Sequence, residues 1–295
     1  MKRFALISIC LAAFSLSSIA GERDSVAIVK HHIIETFRPL YLETGIPVSE
    51  KPSGDNADIK FQLSMRLNIC HDLWGKEFEF FVGYTQISVW NFYQHSSPFY
   101  DNTYMPGVYT RIPLRSKKTG EQFGDILCGY EHRSNGRSDE YSRSVNYGFV
   151  SYTHYLPHNI TLQALARIGD SWYGDTHSLV LYNKYLGYLQ LSADYVTPDR
   201  NWDFMVSVSP LFNRSVANVT AEIGYRIGRK RDNPFLFIQY HHGYDEAMRD
   251  CSTAVPDILD SEGYIYYNGA DNLPTKHMLR FGVMITPGRF MRGIL

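Results

Sequence analysis

Between Ile59 and Ile69 the chain alternates without a break. Ile59, Phe61, Leu63, Met65, Leu67 and Ile69 are apolar, and Lys60, Gln62, Ser64, Arg66 and Asn68 between them are polar. Side chains two apart on a strand share a face, so this stretch reads as a strand with one hydrocarbon face and one charged face. Its length also matches a tilted strand that crosses a bilayer, about 9–11 residues.

Further segments of the same kind follow. Phe78, Phe80, Val82 and Tyr84 share a face. Strands are then expected at 108–114, 126–135, 144–155, 160–168, 178–183, 184–195, 202–209, 216–227, 235–244 and 277–286. Turn-forming residues separate them, as at Lys117-Lys118-Thr119-Gly120, Pro157-His158-Asn159 and Pro198-Asp199. Ten to twelve antiparallel strands leave two architectures. A soluble sandwich would bury the apolar face, and a membrane barrel would turn it outward. The opposite face carries long charged side chains such as Lys60, Arg66, Glu77 and Glu79, and strand ends are rich in tyrosine. Both favour the barrel: an all-β, transmembrane antiparallel barrel of about twelve strands. The chain then divides into 1–20, 21–57 and a barrel domain at 58–295, with no linker inside 58–286. Residues 21–57 carry no clear period and are expected to be a periplasmic or lumen-associated segment.

The N-terminus reads as a secretory signal peptide, with Lys2 and Arg3, an apolar core from Phe4 to Ala13, and small residues Ser18 and Ala20 before a cut at Gly21. An anchor helix would need about 20 apolar residues, more than this run supplies. The net charge of −1 gives no basis for a nucleic-acid partner. Aromatics make up 15% of the chain, and tyrosine and tryptophan favour membrane–water interfaces. No mature segment approaches 18 consecutive apolar residues, and the mean hydropathy is −0.27, which excludes a helical membrane protein but not a barrel. Cys70, Cys128 and Cys251 would remain after cleavage. They cannot form a closed disulfide framework and match no zinc spacing.

One segment breaks the apolar rule. Ile126, Cys128 and Tyr130 share a face, and His132 and Ser134 extend it. A base and a hydroxyl nucleophile therefore stand side by side where hydrocarbon is expected, a position suited to attacking a lipid. Serine needs a base to take its proton, and histidine suits that role. The next strand carries Asn146 on its more lipid-compatible face. An uncharged amide that accepts the imidazole N–H costs less beside hydrocarbon than a carboxylate would. The bland alternative is a polar strand end meeting a loop.

The run His132-Arg133-Ser134-Asn135-Gly136-Arg137-Ser138-Asp139, followed by Ser142-Arg143-Ser144 and Asn146, closely resembles the active-site segment of the outer-membrane phospholipase A family. The likeness extends to Lys60–Ser64, Tyr84-Thr85-Gln86, Ser96–Phe99, and Lys184-Tyr185 through Gln190-Leu191, and spans about residues 58–286. It implies a twelve-stranded barrel with its active site on the outer wall. The triad falls on Ser134, His132 and Asn146. The implied reaction is calcium-dependent hydrolysis of phospholipid acyl esters at both glycerol positions (phospholipase A1 and A2), and of lysophospholipids. The implied enzyme is a homodimer in the bacterial outer membrane, inactive as a monomer. One calcium per site would be held by the Ser142 side chain and the Arg137 carbonyl of one subunit and the Ser96 carbonyl of the other. It would polarise the oxyanion alongside the Gly136 N–H. Asp139 is a further candidate ligand, or a solvated turn residue. Gln86 points at lipid and, by the resemblance, sits in the dimer contact. Arg133 departs from the family's neutral residue and is expected to face the lumen. The ending Arg289–Leu295 extends past the last strand. The competing readings are a catalytically inactive porin-like barrel and a soluble esterase on a sandwich.

Overall fold

The fold is that of a computed structural model, which describes residues 33–72, 77–138, 142–170, 183, 185–212, 216–228, 233–244 and 275–285. The expected signal peptide, Cys251, Asp139, residues 178–182 and the C-terminal extension lie outside the described residues. The strands are β1 (Ile34–Glu35), β2 (Leu40–Pro47), β3 (Asp58–Cys70), β4 (Glu79–Trp90), β5 (Phe99–Arg115), β6 (Gln122–Ser134), β7 (Ser144–Leu156), β8 (Ile160–Asp170), β9 (Leu189–Val196), β10 (Trp202–Leu211), β11 (Val216–Arg226), β12 (Phe235–Gly243) and β13 (Lys276–Ile285). Each pairs antiparallel with its neighbours, and β2 closes the sheet by pairing with both β3 and β13. The result is a twelve-stranded barrel, β2 to β13. The short β1 lies on the same edge of β3 as β2, so the two are one strand interrupted at residues 36–39.

The barrel is inside-out relative to a soluble protein. On β3, Lys60 and Arg66 are 6% and 5% exposed, whereas Met65 and Ile69 are 49% and 53% exposed. Closure lets the hydrocarbon face meet lipid while neighbouring strands pair their backbone groups along the ladders. Aromatic side chains mark both ends of the wall, with Trp90 stacked on Phe99 at one and Trp202 against Tyr225 at the other.

Buried charge survives in the lumen because it is paired. Arg280 binds Asp58 through both terminal nitrogens and approaches Glu43, which also meets Lys60 at 3.3 Å. Arg66 pairs with Glu35 at 2.5 Å, and Glu79 lies between Arg66 and Arg111. At the 36–39 interruption the chain turns inward. Phe37 packs at 5.2 Å from Phe81 and 4.7 Å from Tyr109, completing an inner aromatic cluster with Tyr147 and Phe149.

Three boundaries differ from the sequence reading. The barrel begins before residue 58, because β2 lies within the 21–57 segment. Its outward residues, Leu40, Leu42, Thr44 and Ile46, do alternate. The pattern is masked by inward-facing Tyr41, Gly45 and Pro47, which are not typical lumen polars. β5 starts at Phe99 rather than 108, because Tyr100, Asn102 and Tyr104 put polar groups on its outer face. β9 starts at Leu189 rather than 184, since Asn183, Tyr185 and Leu186 have helical backbone. Cys70 and Cys128 are free thiols.

Candidate active site

The ladder between β6 and β7 places His132 directly opposite Asn146, and Ser134 opposite Ser144. Even-numbered residues of both strands face outward, as the exposure of Tyr130, Val150 and Tyr152 shows. His132, Ser134 and Asn146 therefore share the outer face, at the end of the wall where β6 leaves the sheet. His132 Nδ1 lies 2.7 Å from Asn146 Oδ1. With the proton on Nδ1, the imidazole donates to the amide oxygen, and Nε2 is left as the acceptor. Among the described residues no hydrogen bond joins Ser134 Oγ to His132, so the serine stands on the next outward position without being engaged. Catalytic hydrogen bonds commonly tighten only when substrate is bound.

Beyond Ser134 the chain is shaped by Asn135, which is buried. Its side-chain oxygen accepts the backbone N–H groups of Arg137 and Arg143, and its own N–H donates to the Arg143 carbonyl at 3.0 Å. Gly136 follows with φ of +68°, a backbone state that disfavours other residues. A Cβ there would also lie 2.6 Å from the Tyr104 ring, whose strand position pairs with Ser134. Arg137 and Ser142 lie in this β6–β7 connection, and the Ser142 carbonyl accepts Arg143 Nη1 at 2.7 Å. Ser96 lies in the β4–β5 turn at the same end of the barrel, with φ of +66° and its hydroxyl 3.2 Å from His95 Nδ1.

Gln86 faces outward, but it is satisfied within its own chain. The Tyr84 hydroxyl donates to Gln86 Oε1 at 3.0 Å, and Gln86 Nε2 donates to Ser88 Oγ, which in turn reaches Asn102. Within its own chain the amide thus has one donor and one acceptor contact. Tyr84, Gln86, Ser88 and Asn102 form one ladder of polar side chains.

A group on the inner face was missed by sequence reasoning. Glu131, which precedes His132 in β6, is fully buried on the inner face. It accepts Arg38 Nη2 at 2.5 Å, the Tyr109 hydroxyl at 2.7 Å, Arg133 Nε at 3.1 Å and the Tyr147 hydroxyl. Arg133 is the residue between His132 and Ser134, and Tyr147 follows Asn146. One carboxylate thus grips the inward neighbours of all three outward residues. Arg133 faces the lumen as expected, with its guanidinium 5.1 Å from the Tyr147 ring centroid. The available signal was a lone acid at an inward position beside His132. Its main partner, Arg38, is 93 residues away.

Comparison with known proteins agrees with this frame. The family model for phospholipase A1 matches residues 39–257. The phospholipase A1 of Escherichia coli K12 is 30% identical over 199 residues, 65% of this chain and 64% of that protein. The Proteus vulgaris phospholipase A1 is 29% identical over 203 residues, 66% of each chain. The chain thus spans just under two thirds of the length of these curated relatives. Among solved structures, the Salmonella typhi outer membrane phospholipase, a dimer with bound calcium, superposes with a TM-score of 0.67 at 20% identity, over 86% of this chain and 92% of that one. The Escherichia coli outer membrane phospholipase A gives the same TM-score, over 86% and 94%. At that identity the two structures speak for the fold alone. With the family model matching most of its length, this chain belongs to the phospholipase A1 family.

Proposed function

We propose that this protein is an outer-membrane phospholipase A that hydrolyses acyl esters of phospholipids at the outer wall of its barrel. The observation that carries the reading is the His132–Asn146 contact of 2.7 Å on the lipid-facing surface, with Ser134 at the next outward position. An imidazole paired to an amide in the middle of an otherwise apolar run calls for a chemical role.

In this mechanism Asn146 holds the imidazole by its Nδ1–H, so that Nε2 takes the Ser134 proton as Oγ attacks the ester carbonyl. The acyl group passes to Ser134. His132 returns the proton to the departing glycerol oxygen, then activates water to release the fatty acid. The Gly136 N–H is the proposed donor to the oxyanion. The donors proposed for a metal, the Ser142 hydroxyl and the carbonyls of Arg137 and of a second subunit's Ser96, are all hard oxygens, which suits calcium. Calcium bound there would polarise the ester carbonyl and stabilise its developing negative charge. A homodimer follows from the shared ligand set, and the Salmonella typhi relative supports it by being a dimer with calcium. Cleavage at both glycerol positions and of lysophospholipids belongs to the same proposal. The paired charges and aromatic cluster within the lumen argue against a passive pore.

The test is fatty-acid release from phosphatidylcholine micelles by purified protein, with calcium or with chelator. Ser134→Ala should lower turnover by at least about a thousandfold while the barrel stays folded. Substantial turnover in the folded variant would remove Ser134 from its role.

A further inference from the structure

The outer wall carries a second polar pair, on the side of the barrel away from His132. On β12, Leu236, Ile238 and Tyr240 face outward, and on β13 so do Leu279, Phe281 and Val283. The next outward positions are His242 and His277, which stand directly opposite each other in the ladder. Their Nδ1 atoms are 3.3 Å apart and their ring centroids 4.3 Å. The Tyr240 hydroxyl lies 3.2 Å from the same His277 nitrogen. Both histidines are half-buried. They sit where β12 ends and β13 begins, so they lie at the rim and not at the middle of the apolar band.

Protons alone do not serve all three atoms. An imidazole nitrogen has one in-plane site, which holds either a hydrogen or a lone pair. His277 Nδ1 meets two neighbours with that single site, so its two contacts compete. A cation that each atom approaches with its own lone pair removes the conflict. The spacing fits one kind of cation. Two nitrogens held about 2.0–2.1 Å from a zinc ion at the tetrahedral angle stand about 3.3–3.4 Å apart. At the right angle of an octahedral or square-planar ion they would stand closer, about 2.9 Å apart. Imidazole nitrogens do not suit calcium, which takes oxygen ligands. Among the described residues no group of three or more His, Cys, Asp or Glu side chains could hold an ion. The Tyr240 oxygen and water are therefore what would complete the shell.

The location gives such an ion a task. The interval from Gly243 to Lys276 is the longest between consecutive strands among those described. Bringing the ends of a long interval together costs more entropy than closing a tight turn, and a metal clip at its base offsets more of that cost. The His277 carbonyl also accepts the Val48 N–H at 2.9 Å, just past the end of β2, so the pair stands at the seam where the barrel closes.

We propose that His242 and His277, with the Tyr240 hydroxyl, bind one divalent transition ion of the zinc class and that the ion clips β12 to β13 at the rim. The site is separate from the calcium proposed at the β6–β7 connection, and it does not depend on the phospholipase reading.

The test uses protein in micelles, purified without a polyhistidine tag, stripped with chelator and titrated calorimetrically with zinc chloride in millimolar calcium. One zinc per chain should bind. His242→Ala and His277→Ala should each weaken it about a hundredfold or more, because chelation by a pair becomes binding by a single imidazole. Tyr240→Phe should weaken it by less. His154→Ala, on the outer wall at the opposite end, should bind zinc as the parent does. Zinc at about a hundred times its Kd should raise the thermal midpoint of the parent by about 5 °C and leave that of His277→Ala unchanged. X-ray absorption on the zinc-loaded parent needs no variant: it should show a four-coordinate ion with nitrogen at about 2.0–2.1 Å. An all-oxygen shell, the lack of stoichiometric zinc, or an affinity indifferent to both histidines overturns the site and leaves a hydrogen-bonded pair.

Discussion

Glu131→Gln probes whether the outer site is held from the inside. The substitution keeps the shape and one acceptor but removes the charge that Arg38 and Arg133 share, and it turns an N–H toward one of them. Glu131 has no exposure to water, while Arg38 and Arg133 retain 26% and 17%. Breaking a buried pair from one side costs about 3–5 kcal/mol, and the residual hydration of the two arginines points to the lower end, about 3 kcal/mol. Turnover should fall as well, by about tenfold. The inward neighbours of His132, Ser134 and Asn146 lose their common anchor, and small displacements of catalytic groups are costly. The assay is denaturant unfolding in micelles, followed by tryptophan fluorescence, together with kcat on phosphatidylcholine. Turnover can be probed further in the Asn146→Ala background, where a residue acting through the His132–Asn146 pair should have much less left to lose. A destabilisation under about 1 kcal/mol with unchanged turnover would refute the reasoning, because it would mean that the lumen holds two guanidinium groups as well without the carboxylate as with it.

Asn146→Ala should reduce hydrolysis less than His132→Ala, since an orienting amide is easier to do without than the group that moves the proton; both are compared under identical conditions, and equal losses would refute the ranking. Gly136→Ala should cost about 1–2 kcal/mol through its left-handed backbone alone, and more through the Tyr104 ring, with loss of activity in a folded barrel. Unchanged kinetics would remove Gly136 from the oxyanion role. Calcium should raise the dimer fraction, because an ion that binds only the dimer must favour it. Gln86→Ala should weaken the dimer by about 0.5–2 kcal/mol, read by crosslinking or ultracentrifugation with calcium and with chelator. A dimer fraction indifferent to calcium would refute the shared site.

Much of this protein is determined locally. Period-two alternation decides which residues of β3 meet lipid, since the pleat puts neighbours on opposite faces whatever the partner strand. The same rule puts His132 and Ser134 on the outer wall and Arg133 in the lumen. Positions whose side chains obey neither polarity were not legible: β2 was lost to Tyr41, Gly45 and Pro47, and the start of β5 to Tyr100, Asn102 and Tyr104. What only the tertiary structure decides is which groups meet across the sheet and the lumen. Arg280 and Asp58 are 222 residues apart and Arg38 and Glu131 are 93 apart, yet closure makes each pair neighbours. Alternation puts Gln86 on the lipid face, but its hydrogen bonds to Tyr84 and Ser88 depend on side-chain placement that alternation does not give. Gly148 falls on the outward face by alternation alone, but the open space around it is set by the strands on either side. Alternation is a property of one strand, whereas pairing, closure and concavity belong to the register between strands, which no single strand contains.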